Sequence, residues 1–448
     1  MKHKKFSYRH LDELKEDIAR ADVDLPVSDS TDALTLPLTL YGKQLSNRLV
    51  VHPMEGCDGT AAGAPDELTF RRYGRFASGG AALLWMEACA VTNEGRANPR
   101  QIFLNSSTRK EFDNLSRHIR QASESANGSV PYTVLQLTHS GRYSKPFAGA
   151  SAIVPVDENP YLDAFTNPKR TVISDDELEM LEDAYATSAV LARACGFNAV
   201  DVKACHRYLL SELLAAHTRK GRYGGSFENR TRFLLNVIDK INARTDIDIS
   251  LRINAYDAMP YPYGWGSDEN GEPSLDEPKQ LLRLLEIKGI RLVNITTGNP
   301  YYNPHIGRPG DIAPYVAPEH PVESAARMLH IIKELKSAAP AVQIVGTGFS
   351  WFREYGANVA AGCIEREWMD MAGFGRQSFA YPDFARDIVR NGGMQRNKCC
   401  IACTKCTELM RFGGMAGCVV RDAKTYLPIW REATNGQTMM SNKIACHI

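Results

Sequence analysis

Short apolar and β-branched runs alternate with longer amphipathic stretches along most of this chain. Bounded by turn residues and only a few residues long, the short runs read as buried strands at 48–53, 81–87, 132–137, 199–203, 248–253, 292–296, 342–346 and 368–371. The stretches between them carry apolar residues at helical spacing. One helix is expected over 175–194, with Ser174 as its N-cap and Gly196 just past its end. Others are expected over 227–243 and 324–338. Eight strands alternating with helices predict an α/β fold, a (β/α)8 TIM barrel. A doubly wound sheet is the alternative. Gly346–Thr347–Gly348 follows a strand, but no third glycine completes a dinucleotide fingerprint.

In a barrel, chemistry sits where strands end. That rule selects Met54, Glu55, Gly56 and Cys57, then Glu87 and Ala88, then Gln136, His139 and Arg142. Further along it selects Lys203, His206 and Tyr208, then Arg252, Asn254, Thr297 and Gly298. Last come Gly346, Gly348, Gly373, Gly375 and Arg376. Glycines after the final two strands leave backbone amides open to a phosphate, with Arg376 beside them. The segment 255–279 holds Tyr261, Tyr263 and Trp265 among glycines and prolines and is expected to be a loop serving as a lid or wall.

Cysteines add a second chemistry. Cys400, Cys403, Cys406 and Cys418 are separated by two, two and eleven residues, which reads as a metal site. Structural zinc favours two short pairs. Three ligands together and one late are nearer to the pattern for an iron–sulfur cubane, and Cys399 is an alternative first ligand. The other six, Cys57, Cys89, Cys195, Cys205, Cys363 and Cys446, read mostly as small buried hydrophobes.

The 448 residues suffice for one large domain and an appendage. The division expected is an N-terminal helical extension over 1–33, the barrel over 34–390 and a cluster-binding segment over 391–448. A net charge of +1 gives no nucleic-acid or membrane-surface footprint. Met1 to Asp24 is charged throughout with no apolar core of a signal peptide, so a reducing, cytoplasmic setting is expected.

Several segments together resemble the Old Yellow Enzyme superfamily of FMN-dependent oxidoreductases. They are Asn47–Arg48 with Pro53–Met54, the run Gln136 to Arg142, Tyr208–Leu209–Leu210, Tyr223–Gly224–Gly225–Ser226 with Glu228–Asn229–Arg230 and Arg232–Phe233, and Gly373 to Arg376. With the cysteines, the chain resembles the iron–sulfur branch typified by 2,4-dienoyl-CoA reductase and trimethylamine dehydrogenase. The resemblance implies a bound FMN and a [4Fe-4S] cluster on Cys400, Cys403, Cys406 and Cys418. Pro53, Met54, Glu55 and Ala88 would line the flavin ring, and Gln136 would bond its pyrimidine edge. Arg252 would place a cation where reduced flavin gathers negative charge. Gly346, Gly348, Gly375 and Arg376 would hold the phosphate. Tyr208 would protonate the substrate carbon, and His206 would grip its carbonyl.

Two departures matter. Where many relatives have a histidine at each end of a four-residue run, this chain reads Lys203–Ala204–Cys205–His206. Lys203 is therefore expected to bind substrate or to pair with an acid such as Glu55 or Glu87. Glu55 stands where trimethylamine dehydrogenase has its flavin-linking cysteine, so FMN is expected to be non-covalent. Long relatives also continue past the cluster into nucleotide-binding domains. Electrons are thus expected from NAD(P)H directly or from a separate donor protein through the cluster.

The function expected is an ene-reductase acting on a small C=C conjugated to a carbonyl or acid (enone, enoate, steroid-like or tetrapyrrole), with homo-oligomer formation compatible. Alternatives are an amine or alcohol dehydrogenase passing electrons out through the cluster, and a non-catalytic electron-transfer subunit.

Overall fold

The computed structural model describes residues 1–311 and 315–435, apart from the side chain of Phe165. Eight parallel strands close into a barrel in chain order. They are β1 Leu49–Val51, β2 Leu83–Ala90, β3 Tyr132–Thr138, β4 Ala199–Val202, β5 Asp248–Tyr256, β6 Leu292–Thr297, β7 Gln343–Gly346 and β8 Met371–Phe374. Their residues are almost wholly buried, as expected of a parallel sheet with helices outside and packed side chains inside. The (β/α)8 TIM barrel expected from the alternation is therefore what forms.

All eight expected strands overlap these, the last only at Met371. The eighth is displaced, because 368–371 is apolar for another reason. Trp368 packs edge-on against His330 before the strand begins, so its burial belongs to a loop.

Inside the barrel, Val50, Trp85, Val134, Ala199, Val345 and Met371 pack together. A hairpin of Leu38–Leu40 and Lys43–Leu45 adds Leu40 and Leu45 to this inner core. Tyr41 of its turn donates to the Ile249 carbonyl (2.5 Å) and accepts from Arg291 N–H (2.7 Å), which fixes the plug at the N-terminal end of the strands.

The helices form the outer ring. They include α1 Leu11–Arg20, α2 Glu67–Ser78, α3 Arg109–Asn127, α4 Asp175–Ala194, α5 Phe227–Arg244, α6 Asp276–Ile287 and α7 Pro321–Ala338. The α4 bounds and cap are as read from the sequence: Ser174 accepts from Glu177 N–H (3.2 Å), and Glu177 returns a bond to Ser174 N–H (2.7 Å). Helix α7 starts before the expected Ser324, because Pro321 occupies its first turn and His320 caps it. The conspicuous 223–233 segment is architectural. Tyr223 donates to Glu182 of α4 (2.9 Å), and Arg230 reaches the Leu214 carbonyl (2.6 Å). Among the described residues no helix is long and apolar enough to cross a membrane.

The segment between β5 and α6 is a wall anchored by a buried residue. Trp265 is 1% exposed, its indole N–H donating to the Asn254 carbonyl (3.0 Å). Tyr261 and Tyr263 lie outward, Tyr263 beside Tyr161.

Candidate functional site

The parallel strands bring the residues that follow them to one mouth. Pro53 to Cys57 follow β1, and Lys203 to Tyr208 follow β4. These two loops meet at Glu55. Its Oε1 lies 3.5 Å from Lys203 Nζ and accepts the Tyr208 hydroxyl at 3.4 Å. Lys203 Nζ also stands 3.8 Å over the Tyr208 ring. Of the two acids considered as its partner, Glu55 is the one it meets. Burial, then the Glu55 charge, pushes the Tyr208 phenol well above its usual range, so it keeps its proton at neutral pH. Tyr301, after β6, interacts with the Tyr208 hydroxyl and stacks on Tyr143 at 3.7 Å between centroids. Tyr302 sits further out beside Tyr161.

His206 and Arg207 are both left-handed, φ 64° and 59°, a conformation that side chains with a Cβ resist. Surrounding bonds impose it. His206 N–H donates to Asn254 Oδ1 (3.2 Å), and Arg207 pairs with Asp257 (2.8 Å), both side chains 1% exposed or less. Burial, then the Arg252 and Lys203 cations, depresses His206 well below the usual range, leaving a neutral imidazole. Replacing Asp257 with Ala strands a buried guanidinium and is expected to cost about 3–5 kcal/mol of stability. Urea unfolding followed by circular dichroism reads the loss.

The residues assigned to FMN by resemblance lie around the same mouth. Arg252 of β5 is buried, and among the described residues no carboxylate forms an ion pair with it and its Nε has no hydrogen-bond partner. An unneutralised buried cation is costly unless an anionic group shares its site. Gln136 of β3 donates to Asp201 Oδ2 (2.6 Å), which also accepts the Trp85 indole N–H (2.8 Å). Asp201 Oδ1 accepts Arg252 N–H (2.6 Å). Burial pushes the Asp201 carboxyl up to about 6. His52 accepts from Asn294 Nδ2 (3.0 Å) and packs so tightly on Gly373 that a Cβ there would overlap it. Ala88 of β2 is fully buried, its carbonyl held by Gln101 Nε2 (3.1 Å).

Gly346 ends β7, and Gly348 has φ 103°, which glycine adopts freely. A Cβ on Gly375 would come within 3.0 Å of Met54 Sδ, so β8 and the Pro53–Glu55 loop abut. Arg376 follows, with Nη2 on the Pro309 carbonyl (2.9 Å) and a buried Nη1 lacking a partner. The orphan guanidinium nitrogens of Arg252 and Arg376 and the tight glycines suit an anionic, planar cofactor. His139 is structural: its Nδ1 accepts Gly141 N–H (3.1 Å), and burial lowers it to about 4.

Cys400, Cys403, Cys406 and Cys418 line one cavity together with Arg376, Ile401, Thr404 and Val419. Cys400 N–H donates to Gln377 Oε1 (2.9 Å), and the thiols of Cys400 and Cys418 accept N–H bonds from Ala402 (3.4 Å) and Arg421 (3.2 Å). Cys399 does not line this cavity, and its thiol bonds the Gln395 carbonyl (3.4 Å). Among the described residues no three His, Cys, Asp or Glu side chains gather closely enough to hold a single metal ion. Arg308 adds a cation beside this cavity, bonded to Thr407 (2.9 Å) and lowered to about 10 by burial and then by Arg376 and Arg411. Cys57, Cys89, Cys195, Cys205 and Cys363 are free and buried, as expected; Cys446 lies outside the described residues.

Sequence reasoning missed Asp201, His52, Tyr143 and Arg308. Only Asp201 left a signal, since an acid inside an apolar run of strand length needs buried partners.

A sequence profile of the NADH:flavin oxidoreductase / NADH oxidase family matches residues 33–268. An NADH:flavin oxidoreductase of Gibberella zeae is 26% identical over 290 residues, covering 60% of this chain and 68% of that protein. An NADPH dehydrogenase of Bacillus pumilus is 32% identical over 229 residues, covering 49% of this chain and 63% of that one. Among solved structures, 2-naphthoyl-CoA reductase in complex with 2-naphthoyl-CoA superposes with a TM-score of 0.71 at 18% identity. That match covers 87% of this chain but 57% of the reductase, so the chain spans little more than half of that neighbour. With the profile covering over half its length, the chain belongs to the NADH:flavin oxidoreductase / NADH oxidase family, a flavin-dependent oxidoreductase family whose cofactor is FMN.

Proposed function

We propose that the chain is an ene-reductase for a C=C conjugated to a carbonyl or acid. The observation that carries this is the convergence of Tyr208, Lys203, Glu55 and His206 on one mouth beside the Arg252 cation. When bound, FMN supplies the hydride that reaches the carbon β to the carbonyl. Arg252 offsets negative charge at the flavin's pyrimidine end, and Gly346, Gly348, Gly375 and Arg376 hold the phosphate. Met54, Glu55 and Pro53 line the ring from the β1 side, Ala88 from β2, and Gln136 meets its pyrimidine edge.

Neutral His206 binds the substrate oxygen and stabilises the charge that gathers there. Tyr208 keeps its proton in the resting state and gives it to the carbon α to the carbonyl. The Tyr208 O–H bond breaks as the C–H bond forms, and Lys203 over the ring stabilises the phenolate left behind. The Tyr143–Tyr301 stack supplies a flat apolar face for an extended unsaturated substrate.

Cys400, Cys403, Cys406 and Cys418 would hold a [4Fe-4S] cluster, which would supply single-electron transfer. Four cysteines at this spacing lining one cavity support a cluster over zinc. A separate donor protein reaching the cluster, or NAD(P)H directly, supplies electrons. Glu55 favours one second reading, since a carboxylate among Tyr143, Tyr208 and Tyr301 also suits a cationic amine.

Photoreduced protein mixed anaerobically with acceptors separates the two. Reoxidation by enones or enoates supports reduction. Bleaching of oxidised protein by amines, with no response to any activated alkene, supports the dehydrogenase instead.

A further inference from the structure

Behind Glu55 lies a charged cluster that none of the steps above uses. Arg72 of α2 sits between Asp58 and Glu87, and all three side chains are 3% exposed or less. Glu87 lies where the β2–β3 pairing shifts register, an irregularity that re-aims side chains. Its Oε2 accepts Gly56 N–H at 2.7 Å, directly after Glu55. Tyr73 braces it, donating to Oε1 (3.3 Å) and accepting Glu87 N–H (2.7 Å). The Arg72 guanidinium lies against Gly56, so any Cβ there would overlap it. From the other side, Ala416 N–H, between Cys406 and Cys418, donates to the Gly56 carbonyl (2.6 Å).

The N–H and the carbonyl of Gly56, the residue after Glu55, are therefore both held. We propose that Arg72 and Glu87 are positioning residues that fix the Glu55–Gly56 backbone and, through Glu55, the placement of Lys203 and Tyr208. This rests on the ene-reductase reading only for the meaning of that placement.

The clamp is charge-sensitive. Asp58 and Glu87 face one guanidinium, so the buried cluster holds one carboxylate too many. The groups facing Glu87 are Arg72 and Tyr73 on α2, Asp58, Glu55 and Cys57 on the β1 loop, and Cys89 on its own strand. Burial raises Glu87 to about 7, against the pull of Arg72. Above that pH an ionised Glu87 grips Gly56 N–H strongly; below it the protonated acid is a weaker acceptor. The stability sign is opposite. A carboxyl raised in the folded chain contributes stability at acid pH, lost as pH rises from 4.5 through about 7.

The test is a pH titration of the FMN holoenzyme's flavin absorption, which needs no substrate, together with reoxidation rates. Wild-type protein is expected to show an inflection near 7. Glu87→Gln should abolish it and slow reoxidation by about 10- to 100-fold. Tyr73→Phe, a milder change that removes a donor to the carboxylate, should move the inflection upward. An unmoved inflection in Tyr73→Phe, or wild-type behaviour in Glu87→Gln, overturns the proposal. Spectral shifts as expected with no alkene reduction would leave the clamp standing and sink the ene-reductase reading alone.

Discussion

Tyr208→Phe is expected to slow reoxidation of the reduced flavin by an activated alkene by about 10²- to 10⁴-fold. The substitution removes one oxygen and leaves the ring under Lys203, 3.8 Å from its Nζ, so packing and FMN content should hold. What disappears is the hydroxyl that Glu55 Oε1 accepts at the mouth, the proposed proton donor. Anaerobic stopped-flow absorbance of photoreduced protein measures the effect. A fall of less than about threefold would assign protonation elsewhere, with Tyr301 the nearest hydroxyl.

The second large effect concerns the tail. Cys406→Ala should abolish iron and acid-labile sulfide while FMN stays bound: Arg376 lines the cysteine cavity as well as the proposed phosphate site, but Gln136, Arg252, Gly346 and Gly348 belong to other segments. Cys399→Ala is the control. Its thiol bonds the Gln395 carbonyl and Cys399 does not line the cavity, so iron should be retained. Iron and sulfide analysis of the two variants decides the ligand set. Zinc without sulfide in the wild-type protein would replace the cluster with a structural ion.

The barrel was legible because parallel strands are buried on both faces and read as apolar runs. The failure at 368–371 marks the limit of that signal. Trp368 is apolar because it packs under His330, and glycine inside β8 hid the strand that follows. The short hairpin plugging the barrel has three-residue strands with exposed polar positions, too brief to show a period.

At the site, residue identities were readable from motifs, but pairings were not. Lys203 and Glu55 lie 148 positions apart, and only closure of the barrel decides that Glu55, and not Glu87, takes the ammonium. Arg72 looks in the sequence like the solvated face of an amphipathic helix. It is turned inward because two carboxylates from other segments are buried behind it.

The central claim is that FMN lies at the barrel mouth, with an iron–sulfur centre gripped by the tail. The most direct measurement is the visible spectrum and acid-released cofactor content of anaerobically purified protein. The account predicts about one FMN per chain with iron–sulfur absorption beneath the flavin bands. A colourless, folded protein that takes up neither group on reconstitution would contradict it.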